Sequence, residues 1–295
     1  MVNLWKTPKN LLRLLLLLLL TLPFAPLLQA AEQTDKPPIR IGLTPVFLDY
    51  QAAFVSEWRD YLQRRLGQPV TFVQRGSYRE IVKLLRDGKL DFAWLCGYPY
   101  VRNRKDLELV AVPLYQGEPL YQSYLIVHSA NKQTQSLNDL REKIFAFSDP
   151  DSNSGHLYIQ YLLAMQGERS SSFFGKTFFT WSHRKVIEAV ATSLAQGGAV
   201  DGHIWDTLSL SNPELTSQTR IVSKSKKFGY PPFVANRATS KRQIAAMQEV
   251  LLNMAQDNEG KRLLHTLNLD SFAYGNDRLY DEIEAMSKFV EKYDK

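Results

Sequence analysis

Short apolar runs alternate with amphipathic, helix-like segments along most of the chain. The predicted strands are residues 39–43, 70–73, 90–95, 107–114, 121–127, 144–148, 177–180, 199–204 and 233–235, and residues 220–223 lead back toward the first lobe. The predicted helices are residues 52–66, 78–86, 156–165 and 184–195, and another begins near residue 240. Strands that alternate with helices in this way predict an α/β protein with mostly parallel sheets.

The alternating pattern starts again at the strand 144–148, which indicates two lobes. We expect lobe 1 to comprise residues 39–122 plus 224–295 and lobe 2 to comprise residues 123–223. The chain would then cross between the lobes near residues 121–127 and 223–233. A length of 295 residues fits two lobes, since a domain typically contains about 150 residues.

The first 30 residues have the layout of a secretory signal peptide. Lys6, Lys9 and Arg13 precede an apolar run at residues 14–20, and two alanines follow at residues 30–31. The run is shorter than the roughly 20 apolar residues of a membrane span. We therefore predict a cleaved signal peptide over residues 1–30 and a periplasmic location, with an uncleaved anchor as the alternative.

The charge and the cysteine content exclude several classes of protein. The formal net charge is +6, but half of this excess belongs to the N-terminal leader, so the remainder is close to balance. A nucleic-acid-binding protein needs a concentrated basic face, which this balance does not favour. The single cysteine, Cys96, rules out an intramolecular disulfide and a CxxC zinc site.

The strongest candidate for ligand binding lies between a predicted strand and a predicted helix. Ligands of open α/β sheets bind beyond the carboxyl ends of the strands. The segment 149–155 follows such a strand, and Ser152, Asn153 and Ser154 bring hydroxyls and first-turn N–H groups there. The segment is either an anion pocket or a capped helix start without a ligand.

His183 and Cys96 follow two other predicted strands. His183 comes after Ser182 at a helix start, where it offers an imidazole donor to an oxyanion or lies exposed. Gly97 and Tyr98 come directly after Cys96, and they allow close backbone approach and offer a hydroxyl or a ring face. Cys96 itself is either a buried small apolar residue or a soft, reactive ligand.

Tyr50, Tyr121 and Asp206 are weaker candidates. The two tyrosines lie near strand ends or crossings, where each is a core residue or a ligand contact. Asp206 either binds a cationic group or caps a helix. The sequence contains no GxSxG, HExxH, Walker or GxGxxG pattern. We therefore expect no enzymatic activity, no cofactor and no bound metal.

Several of these segments, taken in order, resemble the phosphonate, phosphite and phosphate family of periplasmic solute-binding proteins. The strand Leu90-Asp91-Phe92-Ala93-Trp94 with Gly97 is similar to a strand of that family. The loop 149–155 and the pair Ser182-His183 with Ala189-Val190 are similar to its next loops. The resemblance spans nearly the whole chain after the leader. It implies a two-lobed Venus-flytrap, the type 2 periplasmic binding fold, with two crossover strands and a ligand in the cleft.

The resemblance also implies a set of ligand contacts. The loop 152–154, together with His183, would hold a tetrahedral oxyanion, and three tyrosines would wall the site from the other lobe. Asp206 would face an ammonium group if the ligand carried one. The predicted ligand-binding residues are Tyr50, Cys96, Gly97, Tyr98, Tyr121, Ser152, Asn153, Ser154, His183 and Asp206.

The resemblance predicts a periplasmic protein that captures a small oxyanion (phosphonate, phosphite or phosphate) for an ABC importer. Its partners would be this oxyanion and the transporter permease, and the protein would be a monomer that binds no nucleic acid. The alternative is a periplasmic partner of a membrane sensor histidine kinase. Some relatives that respond to arsenite use a cleft cysteine, and Cys96 would suit trivalent arsenic.

Overall fold

The computed structural model describes residues 36–45 and 52–293. The predicted signal peptide at residues 1–30 and the candidate residue Tyr50 lie outside the described residues. Within the described part, no helix combines the length and the apolar character needed to cross a membrane.

Strands and helices alternate along the chain. The strands are β1 (Ile39–Leu43), β2 (Val70–Gln74), β3 (Phe92–Trp94), β4 (Leu107–Leu114), β5 (Leu120–Tyr121), β6 (Ser123–His128), β7 (Ile144–Phe147), β8 (Lys176–Phe179), β9 (Gly197–Asp201), β10 (Thr219–Lys224), β11 (Phe228–Gly229), β12 (Phe233–Asn236) and β13 (Ser271–Ala273). The helices are α1 (Ala52–Leu66), α2 (Tyr78–Arg86), α3 (Gly97–Asn103), α4 (Tyr158–Ala164), α5 (Ser170–Phe173), α6 (His183–Ala191), α7 (Gly202–Ser211), α8 (Pro213–Ser217), α9 (Lys241–Asn253), α10 (Asn258–Thr266) and α11 (Asp281–Tyr293). A π-helical turn at Asn153–Leu157 precedes α4, and 3-10 turns occur at Leu137–Leu140, Met254–Gln256 and Asp277–Tyr280.

Capping residues and apolar spacing explain the limits of the helices, as α2 illustrates. Ser77 precedes this helix in an extended conformation, and its side chain accepts the Glu80 N–H. Ile81 and Leu85 are buried along one face of the helix. Gly88 follows with a φ of +68°, a left-handed conformation that favours glycine, and the helix therefore ends there.

The described strands form two main sheets and a short ribbon. The first sheet has the order β13-β4-β12-β3-β1-β2, the second has the order β10-β6-β9-β7-β8, and β5 pairs with β11 in the ribbon. The half of each sheet that alternates with helices is parallel, namely β2-β1-β3 and β8-β7-β9. These parallel halves agree with the prediction from the alternating pattern.

The prediction of mostly parallel sheets is wrong for the other half of each sheet. β12 pairs antiparallel with β3 and β4, and β6 pairs antiparallel with β9 and β10. Both β6 and β12 follow the ribbon without an intervening helix. A parallel neighbour needs a crossover connection of about a dozen residues, and neither strand has one at its entry. Both sheets are therefore mixed.

The ribbon connects the two main sheets. Tyr121 pairs with Phe228, and Leu120 pairs with Gly229. The predicted strand 121–127 is therefore two strands, because Gln122 separates β5 from β6. The lobe boundaries near residues 122 and 224 remain predictions.

Helices cover both faces of the second sheet, and alternating side chains of its strands pack on each side. In β6, Ile126 belongs to the core on one face and Leu125 to the core on the opposite face. The first sheet has a larger core, in which the ring centroids of Trp58 and Trp94 lie 5.6 Å apart. The buried aromatic side chains fix the sheets and thereby the strand ends on which a site can be built.

The C-terminal helices pack against the first sheet and also reach the second. The predicted helix near residue 240 is α9, with Ile244, Met247 and Leu251 buried. In α11, the Phe289 ring centroid lies 5.5 Å from that of Tyr161 in α4. The last helix therefore touches structure on both sides of the ribbon.

Gly229→Ala tests the packing of the ribbon. A Cβ at this position would lie 2.5 Å from the Leu279 carbonyl oxygen, so the backbone must move. We expect the substitution to reduce the free energy of unfolding by about 1–3 kcal/mol, measured by urea denaturation. Gly76→Ala is the control, since a Cβ there meets nothing closer than Glu80 Oε2 at 3.9 Å. Equal stability of the two variants would contradict this account of the ribbon.

Candidate functional site

Polar residues from both main sheets converge at the carboxyl ends of their parallel strands. Tyr78 and Cys96 follow β2 and β3 of the first sheet, Tyr121 lies in the ribbon, and the remaining residues follow β7 or β8 or end β9 of the second sheet. We call this group the polar cluster, and it consists of Tyr78, Cys96, Tyr121, Ser148, Ser152, Asn153, Ser154, His183 and Asp201. All of these side chains are buried. The structure therefore builds the cluster where open α/β sheets bind ligands.

The imidazole of His183 is held as a neutral donor. Its Nδ1 atom accepts the backbone N–H of Asp201 at 3.0 Å, so the ring proton belongs on Nε2. Nε2 lies 3.3 Å from the Tyr78 hydroxyl and 3.5 Å from Ser152 Oγ. Burial lowers the pKa of His183 to about 3, so the ring carries no charge at neutral pH.

Asn153 joins the two sides of the cluster. Its backbone N–H donates to Cys96 Sγ at 3.3 Å, and its side-chain Nδ2 donates to the Tyr121 hydroxyl at 2.9 Å. Cys96 thus lies inside the cluster, in contact with the second-sheet side. Burial raises the pKa of the Cys96 thiol to about 11, so the group is a protonated thiol at neutral pH.

Three polar atoms of the cluster are buried without a hydrogen-bond partner among the described residues. They are Ser148 Oγ, Asn153 Oδ1 and Ser154 Oγ. Buried polar groups are nearly always paired, and an unpaired group costs about 1–3 kcal/mol. Three such atoms on one segment that begins at a strand end indicate a place for a polar ligand.

The local sequence explains how the loop after β7 presents these atoms. Ser152 precedes the π-helical turn, and its Oγ accepts the Gly155 N–H at 3.0 Å. Gly155 packs directly on Ser148, where an added Cβ would lie 1.9 Å from Ser148 Oγ. The glycine is needed because no other side chain fits there, and it lets the helix start approach the end of the strand.

A charged group closes the edge of the cluster. Asp151, in the same loop, pairs with Arg79 of α2 at 3.3 Å and with Arg102 of α3 at 3.5 Å. The neighbouring Asp149 accepts the Tyr78 N–H at 3.1 Å. These contacts join the loop after β7 to the first-sheet side, and the two arginines pair with a carboxylate rather than with the cluster.

Three residues predicted from the sequence point elsewhere. An added Cβ at Gly97 would lie 2.6 Å from Ile283 Cδ1, so this glycine makes room for α11. Tyr98 lies against Arg102, with 5.5 Å between guanidinium carbon and ring centroid. Asp206 Oδ2 accepts hydroxyls of Tyr115 at 2.7 Å and Tyr124 at 2.9 Å. The side chains of Tyr98 and Asp206 therefore contact packing partners rather than the cluster, and ligand contacts of Gly97, Tyr98 and Asp206 remain predictions.

Six of the predicted residues do come together: Cys96, Tyr121, Ser152, Asn153, Ser154 and His183. Tyr78, Ser148 and Asp201 also belong to the cluster but were not predicted from the sequence. Tyr78 begins a helix after β2, Ser148 directly follows β7, and Asp201 ends β9. All three residues lie at strand ends, where ligands bind, but only the exact limits of each strand reveal this position. No group of three or more His, Cys, Asp and Glu side chains in the described residues is arranged to hold a metal ion.

Comparison with known proteins gives consistent results. A family model described as ABC transporter, phosphonate, periplasmic substrate-binding protein matches residues 41–280. The phosphonates-binding periplasmic protein of Escherichia coli K12 is 26% identical over 271 residues, which are 88% of this chain and 79% of that protein.

Solved structures show the same fold. A binding protein component of an ABC phosphonate transporter from Pseudomonas aeruginosa has a TM-score of 0.81 at 23% identity, with 88% of each chain covered. PhnD1 from Prochlorococcus marinus, in complex with methylphosphonate, has a TM-score of 0.77 at 21% identity, covering 86% of this chain and 98% of that chain. The two-lobed α/β architecture of type 2 periplasmic binding proteins is thereby confirmed.

Asp201→Asn tests the electrostatics of the cluster. Burial raises the pKa of Asp201 from 3.8 to about 7, so the folded protein holds a proton there that the unfolded chain releases. The stabilisation that this proton gives the folded protein is fully present below about pH 4 and is lost as the pH rises through 7. As the pH rises from 4 to 8, we expect the free energy of unfolding of the wild type to fall by about 2–4 kcal/mol relative to that of the variant. Urea denaturation at each pH measures this difference.

Asp257→Asn is the matched control, since Asp257 also caps a helix and accepts the Gly260 N–H. Burial alone would raise the pKa of Asp257, but the hydrogen bonds from Gly260 and Tyr61 and the charge of Arg65 outweigh it and lower the pKa. Its pH effect should therefore lie below about pH 4, where stability is lost as the pH falls through the lowered pKa, and this control should stay nearly flat between pH 4 and pH 8. A flat difference between wild type and Asp201→Asn across this range would contradict the assignment.

Proposed function

Because this chain belongs to the family of periplasmic substrate-binding proteins of phosphonate ABC transporters, we propose that it captures a small phosphorus oxyanion in the polar cluster and delivers it to an importer. The leader at residues 1–30 would direct export to the periplasm. The protein binds and releases its ligand without a covalent step.

The unpartnered atoms of the loop after β7 are the observation that carries this proposal. Ser148 Oγ, Asn153 Oδ1 and Ser154 Oγ are buried and share one strand end. Hydroxyl groups donate well to oxyanions, and a small phosphorus oxyanion would form hydrogen bonds with these side chains without covalent chemistry. Tyr78 and Tyr121 meet the same loop from the other side. A ligand in the cluster would therefore touch both lobes.

Contact with both lobes explains how binding changes the conformation. An open form offers the ligand only one wall, whereas the closed form offers both, so the ligand favours closure by its difference in affinity. The ribbon of β5 and β11 is the connection about which such a motion would occur. The pairing of Asp151 with Arg79 and Arg102 would add a ligand-independent contribution to closure.

Relatives support phosphorus oxyanions as the substrate class. The Escherichia coli relative is a phosphonates-binding protein, and the Prochlorococcus structure contains methylphosphonate. Neutral donors dominate the cluster here, since His183 is uncharged and the hydroxyls of Ser148 and Ser154 are free to donate. Tyr50 completes the proposed set as a contact from the segment after β1. Phosphonate, phosphite and phosphate are the ligands to test.

Calorimetric titration of the mature protein with methylphosphonate, phosphite and phosphate tests the function. We expect at least one of them to bind, and Ser154→Ala to weaken that binding about 10- to 100-fold, as expected for a hydrogen bond to a charged group. Ser209→Ala is the control, because the Ser209 hydroxyl donates to the Asp206 backbone oxygen outside the cluster. If none of the three binds to the folded protein at millimolar concentration, the function is wrong.

Asp151→Asn tests the contribution of the charged edge to closure. Without ligand, we expect small-angle scattering to give a larger radius of gyration for the variant than for the wild type. The expected loss is about 1 kcal/mol of closed-state stability, because both arginines are partly exposed. Added salt should make the wild type resemble the variant. Asp87→Asn removes the ion pair between Lys83 of α2 and Asp87, which directly follows the helix, and should leave the scattering unchanged.

A further inference from the structure

Asn153 has an acceptor that an oxyanion without a proton cannot satisfy. Its side chain is fully buried, and Oδ1 has no hydrogen-bond partner in the described part of the chain. The other end of the amide is used, because Nδ2 donates to the Tyr121 hydroxyl. An anionic oxygen beside Oδ1 would place two acceptors together and leave both unpaired. A group that donates a proton is needed at this point.

The charges around the cluster also disfavour a doubly charged ligand. None of its hydrogen bonds comes from a Lys or Arg side chain of the described residues, and residues 46–51 contain neither type. Arg79 and Arg102 lie at the edge and pair with Asp151. The titratable and charged groups around the cluster are Tyr78 and Arg79 on α2, Cys96 and Arg102 next to or on α3, Tyr121 on β5, Asp149 and Asp151 after β7, His183 on α6, and Asp201, His203 and Asp206 at β9 and α7.

Hydrogen bonds of His183 keep it from compensating a second negative charge. Its Nδ1 atom is occupied by the Asp201 N–H, so protonation there would break an existing bond. The carboxyl group of Asp201 lies at the start of α7 in the same buried environment, where it accepts the His203 N–H. A second charge on the ligand would therefore meet neutral donors and a nearby carboxyl group, whereas a single charge meets two hydroxyl donors.

We infer that the bound species is the singly protonated monoanion of a tetrahedral phosphorus acid, whose hydroxyl donates to Asn153 Oδ1 while its other oxygens accept from Ser148 and Ser154. This inference rests on the proposed function and adds the protonation state that the site selects. It implies that the protein distinguishes phosphorus acids from sulfonates by one proton, because the two have nearly the same shape.

Methanesulfonate and methylphosphonate, titrated at pH 5.5, test the donated proton. Both are monoanions of similar size at this pH, but only methylphosphonate carries a hydroxyl. We expect methanesulfonate to bind at least about tenfold more weakly, since it leaves Asn153 Oδ1 unpaired. Asn153→Ala should reduce this ratio toward one, and Asn253→Ala, on the exposed side of α9, should preserve it. Equal affinity of the two ligands for the wild type would overturn the inference.

The pH dependence of affinity tests the charge and does not require a variant. Methylphosphonate and chloromethylphosphonate differ in their second pKa, because chlorine withdraws electrons. We expect the affinity for each to fall tenfold per pH unit above its own second pKa, with a midpoint that is lower for the chloro compound. A midpoint shared by both ligands would assign the titration to a protein group. That result, or an affinity that rises with pH, would overturn the inference.

Failure of the proposed function gives a different result from failure of this inference. If neither phosphonate binds to the folded protein at any pH, the function and the inference fall together. If both bind with an affinity that does not follow their own ionisation, the function stands and the inference falls.

Discussion

Burial of polar atoms where the strand ends of two sheets meet is the constraint on which the rest of this structure depends. A buried hydroxyl or amide must find a partner, and the cluster provides partners for some of its atoms by joining the two sides, as Asn153 does with Cys96 and Tyr121. The atoms left over belong to the loop after β7. Under the proposed function, these unpaired atoms are the ones that a bound ligand would pair.

The fold supplies the two walls of the site through the direction of its strands. The parallel strands of each sheet end toward the cluster, and the ribbon carries the chain from one sheet to the other beside it. Large aromatic cores hold each sheet, and under the proposed function any relative motion would be concentrated at the ribbon and at contacts such as Asp151 with its arginines. Rigid lobes with a narrow connection are suited to a protein whose ligand acts by favouring closure.

Neutral donors, rather than buried cations, dominate the cluster. His183 is fixed as an uncharged donor by the Asp201 backbone, and Cys96 is a protonated thiol. A neutral amide or hydroxyl can distinguish where a ligand carries a proton, because a donor pairs only with an acceptor and an acceptor only with a donor. Under the proposed function, the hydrogen bonds of the loop would set ligand selectivity, while Cys96 accepts the Asn153 N–H.

Local sequence determined the alternation of strands and helices and the loop 152–154, because hydrophobic spacing and capping residues act within a few positions of the chain. It also identified His183, which begins a helix directly after a strand. The tertiary structure decided what the sequence could not. The sheets are mixed because the strands that follow the ribbon enter each sheet without a helical crossover. Gly97 lies against α11, and Asp206 accepts from two tyrosines, all of them distant in the sequence. Strand ends are local, but the direction in which a side chain points from them depends on packing partners that only the folded chain brings close.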